Sequence, residues 1–176
     1  SILVGLTDPG YMGYYSHITP LILELQKLKK KVLLDSAHGS HLPLELLNYR
    51  LTADITIHSY HKTLGALTQT GGIHFKKKST AKKVVNYLQI LQSTSPSFLL
   101  LASIEQAIER WLKNTQTSYK QELVSAINAI EGFAALPEEI DDLSQDKWKL
   151  VMQISSKCTG YQIDQALQKR GVFVEM

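Results

Sequence analysis

The chain has 176 residues, 44% of them hydrophobic and 20% charged, an ordinary globular makeup that argues against disorder and suits one domain or one and a fraction. Its formal charge of +3 comes from short basic runs of the kind found at solvated helix ends, so nucleic acid is not an expected partner. No apolar run approaches the roughly 20 residues of a membrane span. The single cysteine, Cys158, can neither close an internal disulfide nor share a metal with a neighbouring cysteine, which makes a reducing cytoplasm the expected compartment.

In chain order, the first half alternates short apolar runs with helical patterns, as βαβ units and a parallel sheet require. Ile2 to Leu6 reads as a strand leading into the turn Asp8-Pro9-Gly10. Ile18, Leu21, Ile22, Leu25 and Leu28 recur at helical spacing, predicting a helix from Ile18 to Lys30 with Pro20 in its first turn. Strands are expected at Val32 to Asp35 and Asp54 to His58, joined through a crossover helix near Leu44 to Tyr49, and again at Gly72 to Phe75. The second half reads as helices over Thr80 to Leu91, Phe98 to Asn114 and Ser118 to Ile130, the last two nearly continuous. A strand at Lys149 to Ser155, a helix at Tyr161 to Lys169 and a strand at Val172 to Glu175 then predict the opening of a second, smaller domain. The division expected is 1–115 for the larger domain and 116–176 for the linking helix and the small one.

Two polar clusters stand at the carboxyl ends of predicted parallel strands: Asp35-Ser36-Ala37-His38-Gly39 and Ser59-Tyr60-His61-Lys62-Thr63. That edge is where open α/β sheets bind ligands. If the strands are neighbours, an amine and a carboxylate face one crevice from opposite ends of a small flat ligand. Pyridoxal phosphate asks for this pair: an amine forms an imine with its aldehyde, and an anion keeps its pyridine nitrogen protonated. Lys62 and Asp35 are the candidates, and Ser59, three residues before the lysine, can reach the phosphate. His61, beside the lysine, suits a phosphate neighbour better than a core histidine. His38 and His41 have a His-x-x-His spacing, but no third ligand lies close in sequence, so no metal site is expected. His17, His58 and His74 receive no role.

Several motifs now agree. Asp35-Ser36-Ala37-His38-Gly39-Ser40-His41, Ala53-Asp54-Ile55, Ser59-Tyr60-His61-Lys62-Thr63-Leu64, and Gln92-Ser93-Thr94-Ser95-Pro96-Ser97-Phe98 followed by Ala102-Ser103 stand in one order and spacing. This set resembles the major domain of the bacterial ornithine/lysine/arginine decarboxylases, and Asp146 to Leu150 with Gly160 to Glu175 resembles the start of their smaller domain. The resemblance implies an α/β fold of the aspartate-aminotransferase type (fold type I) with a mainly parallel sheet, followed by the start of a smaller α+β domain. It implies Lys62 as the Schiff-base lysine, Asp35 as the partner of the pyridine nitrogen and Ala37 against one ring face. Ser59 and His61 would touch the phosphate, and His38 belongs to the same cofactor-binding set. Thr94 would reach toward the phosphate of a neighbouring subunit, implying a homodimer with shared active sites. Ser36 and Phe98 replace the family's usual Glu and Tyr at positions that do not touch the reacting atoms.

The expected activity is decarboxylation of ornithine, lysine or arginine, with His61 a candidate proton donor. An aminotransferase or lyase of the same fold is the enzymatic alternative, and a non-catalytic truncated relative is the other. Only Arg50, Arg110 and Arg170 occur, none in an evident site motif for an aminotransferase's substrate carboxylate. The family's upstream half supplies the main phosphate-binding turn and a stacking histidine. Neither occurs in these residues, and both ends are strand-like, so a piece of a longer chain is expected.

Overall fold

The computed structural model describes residues 2–113, 120–155 and 158–175, which form two compact units: Ser1–Gln116 with Asp141–Asp146, and Thr117–Ile140 with Lys147–Met176. The first is built on a four-stranded sheet of β1 (Leu3–Thr7), β3 (Lys31–Asp35), β4 (Ile55–His58) and β5 (Gly72–Phe75), in the order β1-β3-β4-β5. The first three run parallel and β5 is antiparallel to β4, giving the mainly parallel sheet that the alternating pattern predicts.

Helix α1 (Thr19–Lys27) makes the β1 to β3 crossover. Its N-cap Ile18 and its residue Ile22 pack with Val32, Leu34 and Ala53 into the buried core, against which Leu6 and Leu25 also lie. The helix stops three residues before the predicted Lys30. Lys30 donates its N–H to the Leu25 carbonyl and Lys29 to that of Gln26, while Lys29 takes φ 56°. This is a Schellman ending with lysine at the left-handed position that usually holds glycine, which a pattern search for glycine does not flag. At the same sheet edge Asp54 accepts from Lys31 Nζ at 2.7 Å, from the Val32 N–H at 3.1 Å and from Gln26 Nε2 at 3.2 Å. Burial pushes its carboxyl upward, but these donors together outweigh it and leave the pKa lowered.

The second crossover carries α2 (Leu44–Arg50), and α3 (Tyr60–Thr63) follows β4. Two helices complete the unit, α4 (Lys78–Leu91) and α5 (Phe98–Lys113). A two-residue strand, β2 (Tyr14–Tyr15), pairs antiparallel with β8 (Leu143–Gln145), and the Asp146 N–H donates to the Gly13 carbonyl at 2.9 Å. Runs this short carry no alternation, so the sequence does not announce them, nor that residues 141–146 return to the first unit.

The second unit contains α6 (Lys120–Asn128), β6 (Phe133–Ala135), β7 (Glu139–Ile140), β9 (Met152–Ile154) and α7 (Gly160–Gln168). β6 pairs antiparallel with β9, which is shorter than the predicted Lys149 to Ser155 run. α7 begins at a capping box in which the Thr159 side chain accepts from the Gln162 N–H and the Gln162 side chain accepts from the Thr159 N–H. The predicted strand at Val172 to Glu175 is a correction: these residues form no strand, and the Val172 N–H donates instead to Leu167 at the end of α7. A strand needs a neighbour, and none pairs with this run among the described residues. The predicted continuity across 114–119 lies outside the described residues.

Candidate active site

Because β3 and β4 are parallel neighbours in register Asp35↔Ile57, the loops leaving their carboxyl ends start side by side. The Ser36 N–H donates to the Ile57 carbonyl at 2.8 Å, and Ser40 Oγ donates to the Ser59 carbonyl at 3.2 Å. Asp35 is fixed from within its own loop, its Oδ1 accepting from the Ala37 N–H at 3.0 Å, while its carbonyl accepts from the Asp8 N–H at 3.0 Å. Gly39 lies so close to Ser36 and Pro9 that a Cβ there would sit 2.5 Å from Ser36 Oγ and 2.7 Å from Pro9 Cδ. Only glycine lets this loop settle onto the Asp8-Pro9 turn.

The other loop begins with Ser59 in extended backbone, where its side chain makes no cap bond to α3. Lys62 is exposed, with Nζ 3.4 Å from His38 Nε2, so the two loops also meet through side chains. His38 is held edge-on against the Tyr11 ring, centroids 5.5 Å apart. His61 Nδ1 lies 2.7 Å from the Thr70 carbonyl. A carbonyl oxygen only accepts, so Nδ1 carries the proton and Nε2 is left as the exchangeable nitrogen.

Just before this loop, at the end of β4, stands a group to which the sequence assigned no role. His58 is buried at the end of β4, stacked on Tyr60 and edge-on to His74. Burial first, then the neighbouring His74 and Arg50, hold the His58 imidazole down to about 4, against the opposing pull of the Ser36 backbone and Asp35. His58 is therefore neutral near pH 7. Tyr60 packs where a Gly72 side chain would be, since a Cβ there would meet its hydroxyl oxygen at 2.2 Å.

Other residues hold the loops from outside. His41 Nε2 lies 2.6 Å from Asp146 Oδ2, the two side chains only 9% and 1% exposed, so this histidine faces a carboxylate of the returning 141–146 segment. Arg50, also passed over, is buried against Asp8 at 2.5 Å, with its Nη1 donating to the Leu46 carbonyl. Asp8 reads in sequence only as the start of a turn, and no local signal marks its partner 42 residues away. Thr94 stands apart, on the exposed loop between α4 and α5, and no hydrogen bond joins it to Asp35 or Lys62 among the described residues.

Comparison with known proteins places the chain in a family and a fold. The model of the family described as "Orn/Lys/Arg decarboxylase, major domain" matches residues 2–167. The chain is 31% identical to "Uncharacterized protein YaaO" of Bacillus subtilis (strain 168), the match covering 97% of this chain and 38% of that protein. It is 29% identical to an arginine decarboxylase of the same organism, over 92% of this chain and 36% of the relative. The chain thus spans well under half the length of either. Among solved structures, the constitutive lysine decarboxylase of E. coli superposes with a TM-score of 0.67 at 19% identity, covering 99% of this chain and 32% of that one, which shows a shared fold. That fold is the fold type I arrangement of pyridoxal-phosphate enzymes, and family membership implies pyridoxal phosphate as cofactor.

The residues present fit that group. It requires a primary amine, an anion at the opposite end of a flat ring, and polar donors for a phosphate. The two cross-linked loops offer an exposed lysine amine, a carboxylate with one oxygen already oriented by a backbone N–H, an uncommitted serine side chain at the α3 cap, and an imidazole with one nitrogen available.

Proposed function

We propose that this chain, which belongs to the ornithine/lysine/arginine decarboxylase family, forms the lysine-bearing part of an enzyme that decarboxylates a basic amino acid to the corresponding amine. The observation that supports it is the meeting of two loops at the ends of adjacent parallel strands, with Lys62 Nζ 3.4 Å from His38 Nε2 and Asp35 at the root of the same loop as His38. In this reading Lys62 and Asp35 grip the two ends of the cofactor ring, Ala37 lies against one face, and His38 stands beside the lysine. Ser59 and His61 take the phosphate.

When bound, pyridoxal phosphate supplies an electron sink for the charge left by departing carbon dioxide. The chain's own part is to prepare that sink. The Asp35 carboxylate, its Oδ1 steadied by Ala37, favours a protonated ring nitrogen. His61, with Nδ1 committed to the Thr70 carbonyl, can exchange a proton only at Nε2, the one atom through which it would either meet the phosphate or pass a proton to the reacting carbon. Release of the lysine amine to solvent-borne substrate is favoured by the exposure of Lys62.

A second copy of the chain completes the site in this reading. Thr94 sits on an exposed loop bordered by Ile90, Leu91, Phe98 and Leu99, which are 78%, 79%, 80% and 70% exposed. An apolar cluster of this kind favours burial in an interface, and Thr94 would be carried with it to the partner's phosphate. No helix among the described residues is long and apolar enough to cross a membrane. The lone cysteine fits a reducing, cytoplasmic setting.

The experiment uses the full-length protein. Pyridoxal phosphate should produce a visible absorption band that Lys62→Ala abolishes, and carbon dioxide should be released from at least one of ornithine, lysine and arginine. A band that survives in Lys62→Ala would refute the assignment of the lysine, and no release from any of the three would refute the reaction.

A further inference from the structure

The two loops of the site are also joined from a direction that neither motif predicts. Helix α5 runs past both and makes one hydrogen bond to the first and two to the second. Trp111 Nε1 donates to the His41 carbonyl at 2.8 Å, at the far end of the Asp35–His41 loop. One residue earlier, Arg110 Nη2 donates to the Gly65 carbonyl at 3.2 Å, three residues past Lys62. Ser103 Oγ accepts from the Leu67 N–H at 3.3 Å.

The helix is suited to this by geometry. Adjacent residues point about 100° apart, so Arg110 and Trp111 address two different loops from one place. Ser103 and Arg110, two turns apart on one face, span about 10 Å and hold the second loop at two points. Ser103 is itself fixed by donating to the Leu100 carbonyl at 2.8 Å, which leaves its lone pairs for the loop. The second loop gains from such restraint because it turns through Gly65 at φ +81°, a conformation that glycine enters and leaves with equal ease. Trp111 is half-buried, and its indole N–H has a single donor to give.

We propose that Trp111, Arg110 and Ser103 are positioning residues that set the separation between Asp35 and Lys62. Resting on the reading above, this assigns α5 the task of keeping the two ends of the cofactor site at one distance. The strands fix the roots of the loops, and α5 fixes their far ends. Without it, Asp35 stays on β3 and Lys62 in α3, but the ligand must order the loops as it binds, and part of its affinity is lost to that ordering.

The test uses the full-length protein and begins without cofactor. Amide hydrogen exchange should quicken about fivefold or more, the scale of one hydrogen bond, in the peptide spanning 36–42 of Trp111→Phe. The same is expected in the peptide spanning 64–70 of Arg110→Met and Ser103→Ala, with residues 32–34 and 55–57 unchanged. Pyridoxal-phosphate affinity, titrated through the visible band, should weaken by about fivefold in each variant, and Arg110→Lys, which keeps a donor, should recover it. Because both links are needed to fix that separation, breaking one already frees it, and Trp111→Phe with Arg110→Met should weaken binding by less than the product of the two singles. Unchanged exchange in the loop peptides overturns the restraint. Faster exchange with unchanged affinity reduces these residues to a structural role, and independent, multiplying effects overturn the shared clamp. A wild-type protein that develops no band sinks the functional reading instead, and the exchange result, which needs no cofactor, tells the two failures apart.

Discussion

Replacing Arg50 by methionine should cost the protein about 3–5 kcal/mol, the usual penalty for breaking a buried ion pair from one side. Arg50 has only 2% of its surface exposed, and its guanidinium meets Asp8 at 2.5 Å, donates to the Leu46 carbonyl at 3.0 Å and lies over the Tyr15 ring. Removing it strips the buried Asp8 carboxylate of that cation, with the Ser16 N–H still donating to it at 3.0 Å. Against a typical stability of about 5–15 kcal/mol for a domain, the loss is a third or more. Asp8→Leu combined with Arg50→Met should be milder than Arg50→Met alone, since apolar groups replace both charges and no orphan remains. The assay is urea denaturation of the full-length protein followed by tryptophan fluorescence, comparing midpoints at constant slope. The Asp8 N–H bonds the Asp35 carbonyl, so cofactor affinity should fall in parallel. A shift below about 1 kcal/mol in the single variant, or a double variant worse than either single, would refute the reasoning.

Asp35→Asn keeps an oxygen for the Ala37 N–H but removes the charge, so cofactor should still bind while turnover falls more than about tenfold, a barrier increase above about 1.4 kcal/mol; turnover closer to wild type would show that the charge is not central. Lys29→Gly relieves a side chain held at φ 56° and should raise stability by about 1 kcal/mol or less, read as a higher midpoint in urea. The folded-state value of His58, about 4, lies below its ordinary 6.5, so in that interval the unfolded chain takes up a proton that the folded protein refuses. Stability should thus fall as pH drops from about 6.5 to about 4, by at most about 3 kcal/mol, and His58→Gln should flatten that slope in melting curves taken across the range.

Much of the first unit was legible because its signals are local. The apolar runs at β1, β3 and β4 and the period of α1 lie within single elements, and the strand-end motifs fall next to one another once β3 and β4 pair. The failures share a cause. Helix α1 ends early because backbone hydrogen bonds, not residue type, close it at Lys29, and Val172 to Glu175 stays out of a sheet because a strand exists only with a partner. β2 and β8 are two and three residues long, too short for any periodicity to register.

The same division runs through the site. The groups proposed for the chemistry sit in motifs of a few residues, Asp35, Ala37 and His38 on one turn and Ser59, His61 and Lys62 on another. Groups that hold those turns come from far along the chain: Asp146 to His41, Trp111 to the same residue's carbonyl, Arg50 to Asp8, Arg110 to Gly65. A supporting residue has no required neighbour in sequence, only one in space, and its chemistry is generic, so a buried arginine or a helix tryptophan reads as packing until the fold shows what it touches. This explains why the His41 of an apparent His-x-x-His pair is found facing a buried carboxylate: the spacing was local, and the group it meets arrives 105 residues later.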